Sequence, residues 1–459
     1  MESGAGRCGH VPERGKTCEA PFCVPPQADG LRPALRTTRT TNSPHCEQPA
    51  LRTARTANGP HYEQPALRTV RTTNRMIPPK EFTLLIKPAS AVCNLDCRYC
   101  FYKRALDVFP RKESYIMPDT VLRGLVRKYL ATGVRQAGFS WQGGEPTLCG
   151  LDFYKKAVEY QMEFSASGQV ISNALQTNGV LLDEKWARFL RQYRFLVGLS
   201  LDGPEEIHDR YRRDYAGHGT FRKVMRAATL MNEHQVEFNV LTLLGEHNAD
   251  KAEELYDFFT SQGFRYLQFI APLDVEPGTG KIKPFGIKPS QYARFLCDLF
   301  DIWYEKGFPE VSIRDFDSVL SYHVDGKSLI CPCQRECGSY LVVEHNGDVF
   351  PCDFYVFDEW RLGSIAGQEF AEVFANGRYA EFRRLKTQLN HRCRKCEWLT
   401  MCYGDCVKYR LFQDGNPRNL SYFCLAMRTF FEHTHARFKK LARRVIEYRA
   451  ANAGAGARG

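Results

Sequence analysis

No run of about 18 consecutive apolar residues occurs anywhere in the 459-residue sequence, and residues 1–30 lack the short apolar core of a secretory signal. The first absence excludes a membrane-spanning helix, and the two together predict a soluble, cytoplasmic protein with reduced thiols. Bulky apolar residues are scarce up to position 75, so that segment cannot bury a core and is expected to be a disordered extension. It carries a repeat beginning at Ala34, Ala50 and Ala66 (ALRTTRTTN, ALRTARTAN, ALRTVRTTN), without the apolar faces that solenoid repeats stack. Cys8, Cys18, Cys23 and Cys46 fall in it, and a native start at Met76 is the simplest account of the whole segment. A third absence is local. Neither His nor Cys lies between Cys100 and Cys149, so the trio Cys93, Cys97 and Cys100 has no nearby fourth ligand of the kind zinc favours.

Cysteine itself is abundant, with 18 in the chain. In a chain without a secretion signal that number points to metal rather than disulfides. The net charge of +11 lies partly in the N-terminal segment and reads as solvated surface, with no nucleic-acid or membrane partner expected.

From residue 82 onward, β-rich runs at 82–86, 137–141, 170–176, 195–201, 236–244 and 266–271 alternate with amphipathic helical stretches. One such stretch has Leu122, Leu125, Val126 and Tyr129 at helical spacing behind Pro118 and Asp119. Six strands alternating with helices predict an α/β fold with a parallel sheet, either doubly wound or a partial barrel, and ligands at the C-terminal strand ends. The polar motifs fall at those ends. CxxxCxxC follows the first strand; three thiolates on a cubane cluster leave its fourth iron open, with three legs of a zinc site as the alternative. Gln142-Gly143-Gly144-Glu145-Pro146 follows the second strand, where the glycines allow close approach to backbone and Glu145 offers an acceptor for an ammonium group. Gln176-Thr177-Asn178-Gly179 and Ser200-Leu201-Asp202-Gly203-Pro204 end the third and fourth, with His208, Arg210, Tyr211 and Arg212 beyond. Singly, each motif is an ordinary turn. At four successive strand ends they describe one site.

CxxxCxxC with an aromatic before its last cysteine, GGEP and LSLDGP resemble the core of radical S-adenosylmethionine enzymes over residues 82–274. The resemblance implies a partial (β/α)6 barrel and a [4Fe-4S] cluster on Cys93, Cys97 and Cys100 that binds S-adenosylmethionine. It further implies that Gln142, Gly143, Gly144 and Glu145 form the segment beside the methionine amino group, that Ser200 lies near the ribose and Leu273 near the adenine, and that Arg212 pairs with the carboxylate.

Beyond residue 310 the cysteines run Cys331, Cys337, Cys352, Cys393, Cys396, Cys402, Cys406 and Cys424. Eight suffice for two four-thiolate sites, and a pair of zinc ribbons is the alternative. Their order is similar to the SPASM extension of the same superfamily, which carries two auxiliary [4Fe-4S] clusters. That likeness implies one cluster on Cys331, Cys337, Cys352 and Cys406 and another on Cys393, Cys396, Cys402 and Cys424. Both are fully ligated and serve electron transfer. A hairpin of 341–344 and 349–350 around His345-Asn346-Gly347-Asp348 is expected to bring Cys337 and Cys352 together. Cys149, Cys297 and Cys333 are left as free thiols, Cys333 being the one that competes with Cys331. The resulting domains are 1–75, a radical core at 76–310, and a SPASM domain at 311–459 whose basic, amphipathic helix from 424 to 448 packs on it.

Asp353 directly follows Cys352. On residue chemistry alone it reads as a cap for nearby amides. Cys352-Asp353, together with Leu84-Leu85-Ile86-Lys87-Pro88, Cys100-Phe101-Tyr102 and Met401-Cys402-Tyr403-Gly404-Asp405-Cys406, resembles the anaerobic sulfatase-maturating enzymes. That implies oxidation of a Cys or Ser in a sulfatase polypeptide, unfolded or nascent, to Cα-formylglycine. Asp353 would be the base and Tyr102 would stand in the cavity near the peptide. A low-potential donor such as ferredoxin or flavodoxin and a monomeric state are expected with it. The alternatives are another SPASM peptide maturase forming thioether or carbon–carbon crosslinks, and a non-catalytic metal scaffold.

Overall fold

The sheet begins with a strand, β1 (Thr83–Lys87), whose residues 84 and 86 are fully buried and whose last residue is a lysine exposed to only 1 %. The computed structural model containing it describes residues 81–104, 108–109, 114–275 and 281–455. The repeat segment, its four cysteines and Met76 lie outside them. The other expected strands are β2 (Gln136–Trp141), β3 (Val170–Thr177), β4 (Leu196–Ser200), β5 (Phe238–Leu243) and β6 (Tyr266–Ile270). All pair in parallel in sequence order, which requires a crossover between each pair. The helices Asp119–Leu130, Leu151–Phe164, Glu184–Gln192, Phe221–Glu233 and Ala252–Ser261 supply them. The first helix buries Leu122, Leu125, Val126 and Tyr129 as its spacing predicts. The Tyr129 hydroxyl donates to the Phe82 carbonyl at 2.6 Å, so the helix is tied to the start of β1 as well as packed on it. A short strand β7 (Ser312–Ile313) extends the sheet beside β6.

The expected hairpin is present as β8 (Tyr340–Glu344) and β9 (Asp348–Phe350), with β10 (Gly363–Ser364) beyond it. Its neighbour was not anticipated. β8 lies parallel to β1 in the register Thr83↔Tyr340 through Lys87↔Glu344, giving one ten-stranded sheet in the order β10-β9-β8-β1-β2-β3-β4-β5-β6-β7. A buried β1 with an open edge would leave a row of unpaired amides and carbonyls, and β8 satisfies them. The sheet therefore runs without a break across the domain boundary expected near residue 310.

The C-terminal helix runs Cys424–Ala455, longer than expected. It packs not only on the cysteine-rich half but across the helices Pro289–Ile302 and Arg314–Asp325, with Phe438 4.8 Å from Phe300 and Phe430 5.5 Å from Phe316 between ring centres. The reason is its apolar stripe of Phe430, Phe438, Leu441 and Ala442, all buried, which extends past the cysteine-rich region. No helix of the described residues is long and apolar enough to cross a membrane.

Candidate active site

Cys93, Cys97 and Cys100 occupy the loop that leaves β1. Leu95, Cys97 and Tyr99 pack with Tyr211 and Phe285, and Cys93 and Cys100 border that apolar cluster. Burial pushes the Cys93 thiol up to about 12 and Cys97 to about 11, and Cys100 rises for the same reason. The charge each thiolate would carry raises its neighbours further, which shows the three to be near one another. Thiols in this state are inert unless a metal takes the proton's place.

The GGE segment closes over this loop from β2. The Gly144 amide donates to the Ser90 carbonyl and the Glu145 amide to the Val92 carbonyl, each at 2.8 Å. A Cβ on Gly144 would lie 2.0 Å from the Val92 oxygen, and one on Gly143, at φ 122°, 2.5 Å from that of Ser90. The glycines thus admit the cysteine loop's backbone, not only a ligand. Glu145 also departs from expectation. Its carboxylate is fully buried and accepts from Thr147 N (3.0 Å), Thr147 Oγ1 (2.5 Å), Thr177 Oγ1 (2.8 Å) and Asn178 N (2.8 Å). Three of these donors fall on Oε1 and one on Oε2, so the carboxylate binds β2 to the end of β3.

Asp202, after β4, is fully buried and takes two bonds from Arg212, at Nε (2.9 Å) and Nη2 (3.0 Å), with another from the Tyr99 hydroxyl. Burial works against its charge, yet Arg212 holds the carboxyl below its ordinary range. Tyr99, between two cluster cysteines, is thereby joined to the segment after β4. Ser200 accepts from Gln176 Nε2 at 3.0 Å, and Leu273 is buried in the loop beyond β6.

A second centre meets the first around Tyr102. Its hydroxyl donates to Asp353 Oδ2 at 2.8 Å and accepts from Gln142 Nε2 at 2.7 Å. Lys87 Nζ stands 2.7 Å from Asp353 Oδ1, 3.6 Å from Glu344 Oε1 and 4.7 Å over the Tyr102 ring. Burial opposes the lysine's charge, but the two carboxylates raise its pKa and keep it an ammonium. Burial, then the Asp353 charge, carries the Tyr102 phenol well up, so it remains a donor. Among the described residues the Asp353 carboxylate caps no backbone amide; it faces a small cavity of about 50 Å³ that Lys87, Tyr102, Phe101, Phe354 and Lys408 also line. Lys87 was missed as a site residue. The available signal was a charged residue closing an apolar strand.

The later cysteines also come together in two groups. Cys331, Cys337, Cys352 and Cys406 act electrostatically on one another, and the Tyr340 hydroxyl lies 3.2 Å from Cys352 Sγ. Cys393, Cys396, Cys402 and Cys424 line a single small cavity of about 30 Å³. Cys333 is buried beside Cys402 and Asp405. Among the described residues no three His, Cys, Asp or Glu side chains could share a single metal ion, whereas a cubane spreads its thiolates over separate irons.

Residues 88–259 match the radical SAM superfamily model and residues 324–397 the SPASM iron-sulfur cluster-binding domain. A cysteine-type anaerobic sulfatase-maturating enzyme of Clostridium perfringens is 42% identical over 372 residues, covering 80% of this chain and all of the relative. The chain belongs to the anaerobic sulfatase-maturating enzymes. The serine-type relative from Bacteroides thetaiotaomicron is 35% identical, over 77% of this chain and 89% of its own. A solved structure of native anSMEcpe with bound AdoMet and Cp18Cys peptide superposes with a TM-score of 0.74 at 41% identity, over 79% of this chain and 99% of that one.

Membership in the sulfatase-maturating family makes this a radical S-adenosylmethionine enzyme with iron–sulfur clusters, and excludes the zinc-scaffold alternative. Its own residues fit that chemistry. Three thiols, one buried and two partly buried, converge on one loop, and in the cysteine-rich half the buried Lys386 acts on Cys331, Cys337, Cys402 and Cys406.

Proposed function

We propose that this chain oxidises a Cys or Ser side chain of a sulfatase polypeptide to Cα-formylglycine, with Asp353 as the base. The observation that carries this reading is the Asp353 carboxylate, fixed by Tyr102 and Lys87 at the wall of a cavity next to the Cys93–Cys97–Cys100 loop. Cys93, Cys97 and Cys100 would hold the cluster that, with S-adenosylmethionine, would supply a radical able to take a Cβ hydrogen, and the later cysteine sets would hold clusters able to take up the remaining electron. Asp353 removes the thiol or hydroxyl proton, which a positioned carboxylate does at hydrogen-bond distance. Tyr102 and Lys87 hold it aimed until then. A thioaldehyde formed from cysteine is hydrolysed to the formyl group.

For the cofactor, the methionine amino group would meet the segment 143–145, where the Glu145 carboxylate is already tied to Thr147, Thr177 and Asn178. Arg212 uses Nε and Nη2 on Asp202, and its Nη1 would be left to pair with the carboxylate. Ser200 would lie near the ribose and Leu273 near the adenine. The auxiliary clusters would be held by Cys331, Cys337, Cys352 and Cys406, and by Cys393, Cys396, Cys402 and Cys424. A small low-potential donor such as ferredoxin or flavodoxin would supply electrons to a monomeric enzyme.

Anaerobic incubation of Asp353→Asn with reductant, S-adenosylmethionine and sulfatase-motif peptides carrying Cys or Ser tests the assignment. Formylglycine, read by mass spectrometry, should fall by about 10²–10⁴-fold while 5′-deoxyadenosine continues to form. Undiminished formylglycine would remove Asp353 from the mechanism. The wild-type rates on the two peptides decide substrate type.

A further inference from the structure

Lys386 and Arg410 are almost wholly buried, at 1 % and 0 % exposure. Lys386 Nζ donates to the carbonyls of Pro332 (2.7 Å) and Asp405 (2.5 Å). Arg410 donates through Nη1 to the carbonyls of Gln388 (3.2 Å) and Pro417 (3.1 Å), and through Nη2 to that of Lys386 itself (3.1 Å). All of these partners are neutral. Among the described residues neither side chain forms an ion pair. A lone buried charge costs several kcal/mol unless another charge answers it.

The carboxylate that acts on both cations is Asp405, whose oxygens are taken by the Cys406 amide (2.6 Å) and Ser421 Oγ (2.5 Å). Asp315 is a further carboxylate beside Asp405 and Cys333, and Arg314 and Lys408 add positive charge on Cys331 and Cys406. The groups on which the charge of Lys386 and Arg410 falls are the cysteines of both auxiliary sets. Lys386 acts on Cys331, Cys337 and Cys406 of one set and Cys402 of the other. Arg410 acts on Cys337 and Cys406 of the first and Cys393 of the second. The two cations are therefore shared between the sites, joined through the Lys386 carbonyl.

We propose that Lys386 and Arg410 are the counter-charges of the two auxiliary clusters, raising their reduction potentials so that an electron leaving the substrate is drawn into the space between them. This rests on reading both cysteine sets as four-iron sites. Neighbouring charge and burial are among the determinants of a cluster's potential. A purely structural lysine, stapling the loop before Cys333 to the loop before Cys406, would hold the ligands without moving the potential.

The test is redox titration of the anaerobically reconstituted holoenzyme, followed by electron paramagnetic resonance, with iron counted in each sample. Wild-type protein with about twelve irons upholds the cluster reading, and about four would overturn it separately. Lys386→Met and Arg410→Gln should each shift at least one auxiliary signal to lower potential with iron retained, and Lys386→Arg should restore the wild-type value. Full iron and unchanged potentials in both neutral variants would overturn the proposal. If Lys386→Met loses iron, Lys386→Arg decides: retained iron supports the charge role, and loss in both overturns it.

Discussion

Tyr102 and Asp353, separated by 251 positions in the chain, share a hydrogen bond of 2.8 Å. The first belongs to the turn that follows Cys100 and the second is the residue after Cys352. One bond thus couples the radical-generating loop to an auxiliary-cluster loop. Gln142 and Lys87, from the ends of β2 and β1, hold the pair from behind. The Asp353 carboxylate is fixed by residues of the barrel, although its own segment lies in the cysteine-rich half.

Lys87 neutralises two carboxylates, Asp353 and Glu344, at 1 % exposure. Lys87→Met should lower stability by about 3–5 kcal/mol, the usual cost of stranding a buried partner, seen as a lower denaturation midpoint. Adding Glu344→Gln should recover part of that loss. A single variant as stable as wild type would show that the ion pairs contribute nothing.

Gly144 has no room for a side chain against Val92. Gly144→Ala should displace the loop of Cys93, Cys97 and Cys100 and cost the protein one cluster of three, with iron falling from about twelve to about eight atoms per chain. The auxiliary signals should persist. Full iron content in this variant would contradict the packing role assigned to the glycine.

Cys333 and Cys331 are separated by one residue, and only Cys331 belongs with the set of Cys337, Cys352 and Cys406. Cys333→Ala should therefore keep its iron, and Cys331→Ala should lose a cluster. The reverse pattern would exchange the two assignments.

His208 is fully buried, accepts from the Asp202 amide at Nδ1 (3.3 Å) and meets Thr220 Oγ1 at 3.1 Å. Burial, then Arg212, depresses its pKa to about 4. Between pH 6.5 and about 4 the unfolded chain binds the proton that the folded one refuses, so stability falls as pH drops through that window, by about 3 kcal/mol in all. Thermal midpoints at pH 7 and pH 5 should differ more for wild type than for His208→Gln. Equal differences would assign the pH dependence elsewhere.

The strands and the grouping of the cysteines are legible because each depends on local signals: apolar runs of strand length, and thiols at fixed spacing. The places where expectation and structure part are all non-local. Glu145 reads as an available acceptor until Thr147, Thr177 and Asn178 close around it. The two glycines suit a ligand equally well as the backbone of Ser90 and Val92. Lys87 gains its meaning only when β8 brings Glu344 beside it and the segment after β9 brings Asp353. Pattern periodicity gives a strand's faces but not which distant strand covers its edge.

The β1–β8 pairing has a mechanical consequence. β1 leads into the cysteine loop where the radical is generated, and it is hydrogen-bonded along its length to the strand leading towards the base and an auxiliary cluster. Prying the cysteine-rich half away would have to shear that ladder, exposing the reactive centre's own support. Unfolding of the cysteine-rich half and unfolding of the strand that carries the cysteine loop should accordingly be one cooperative event.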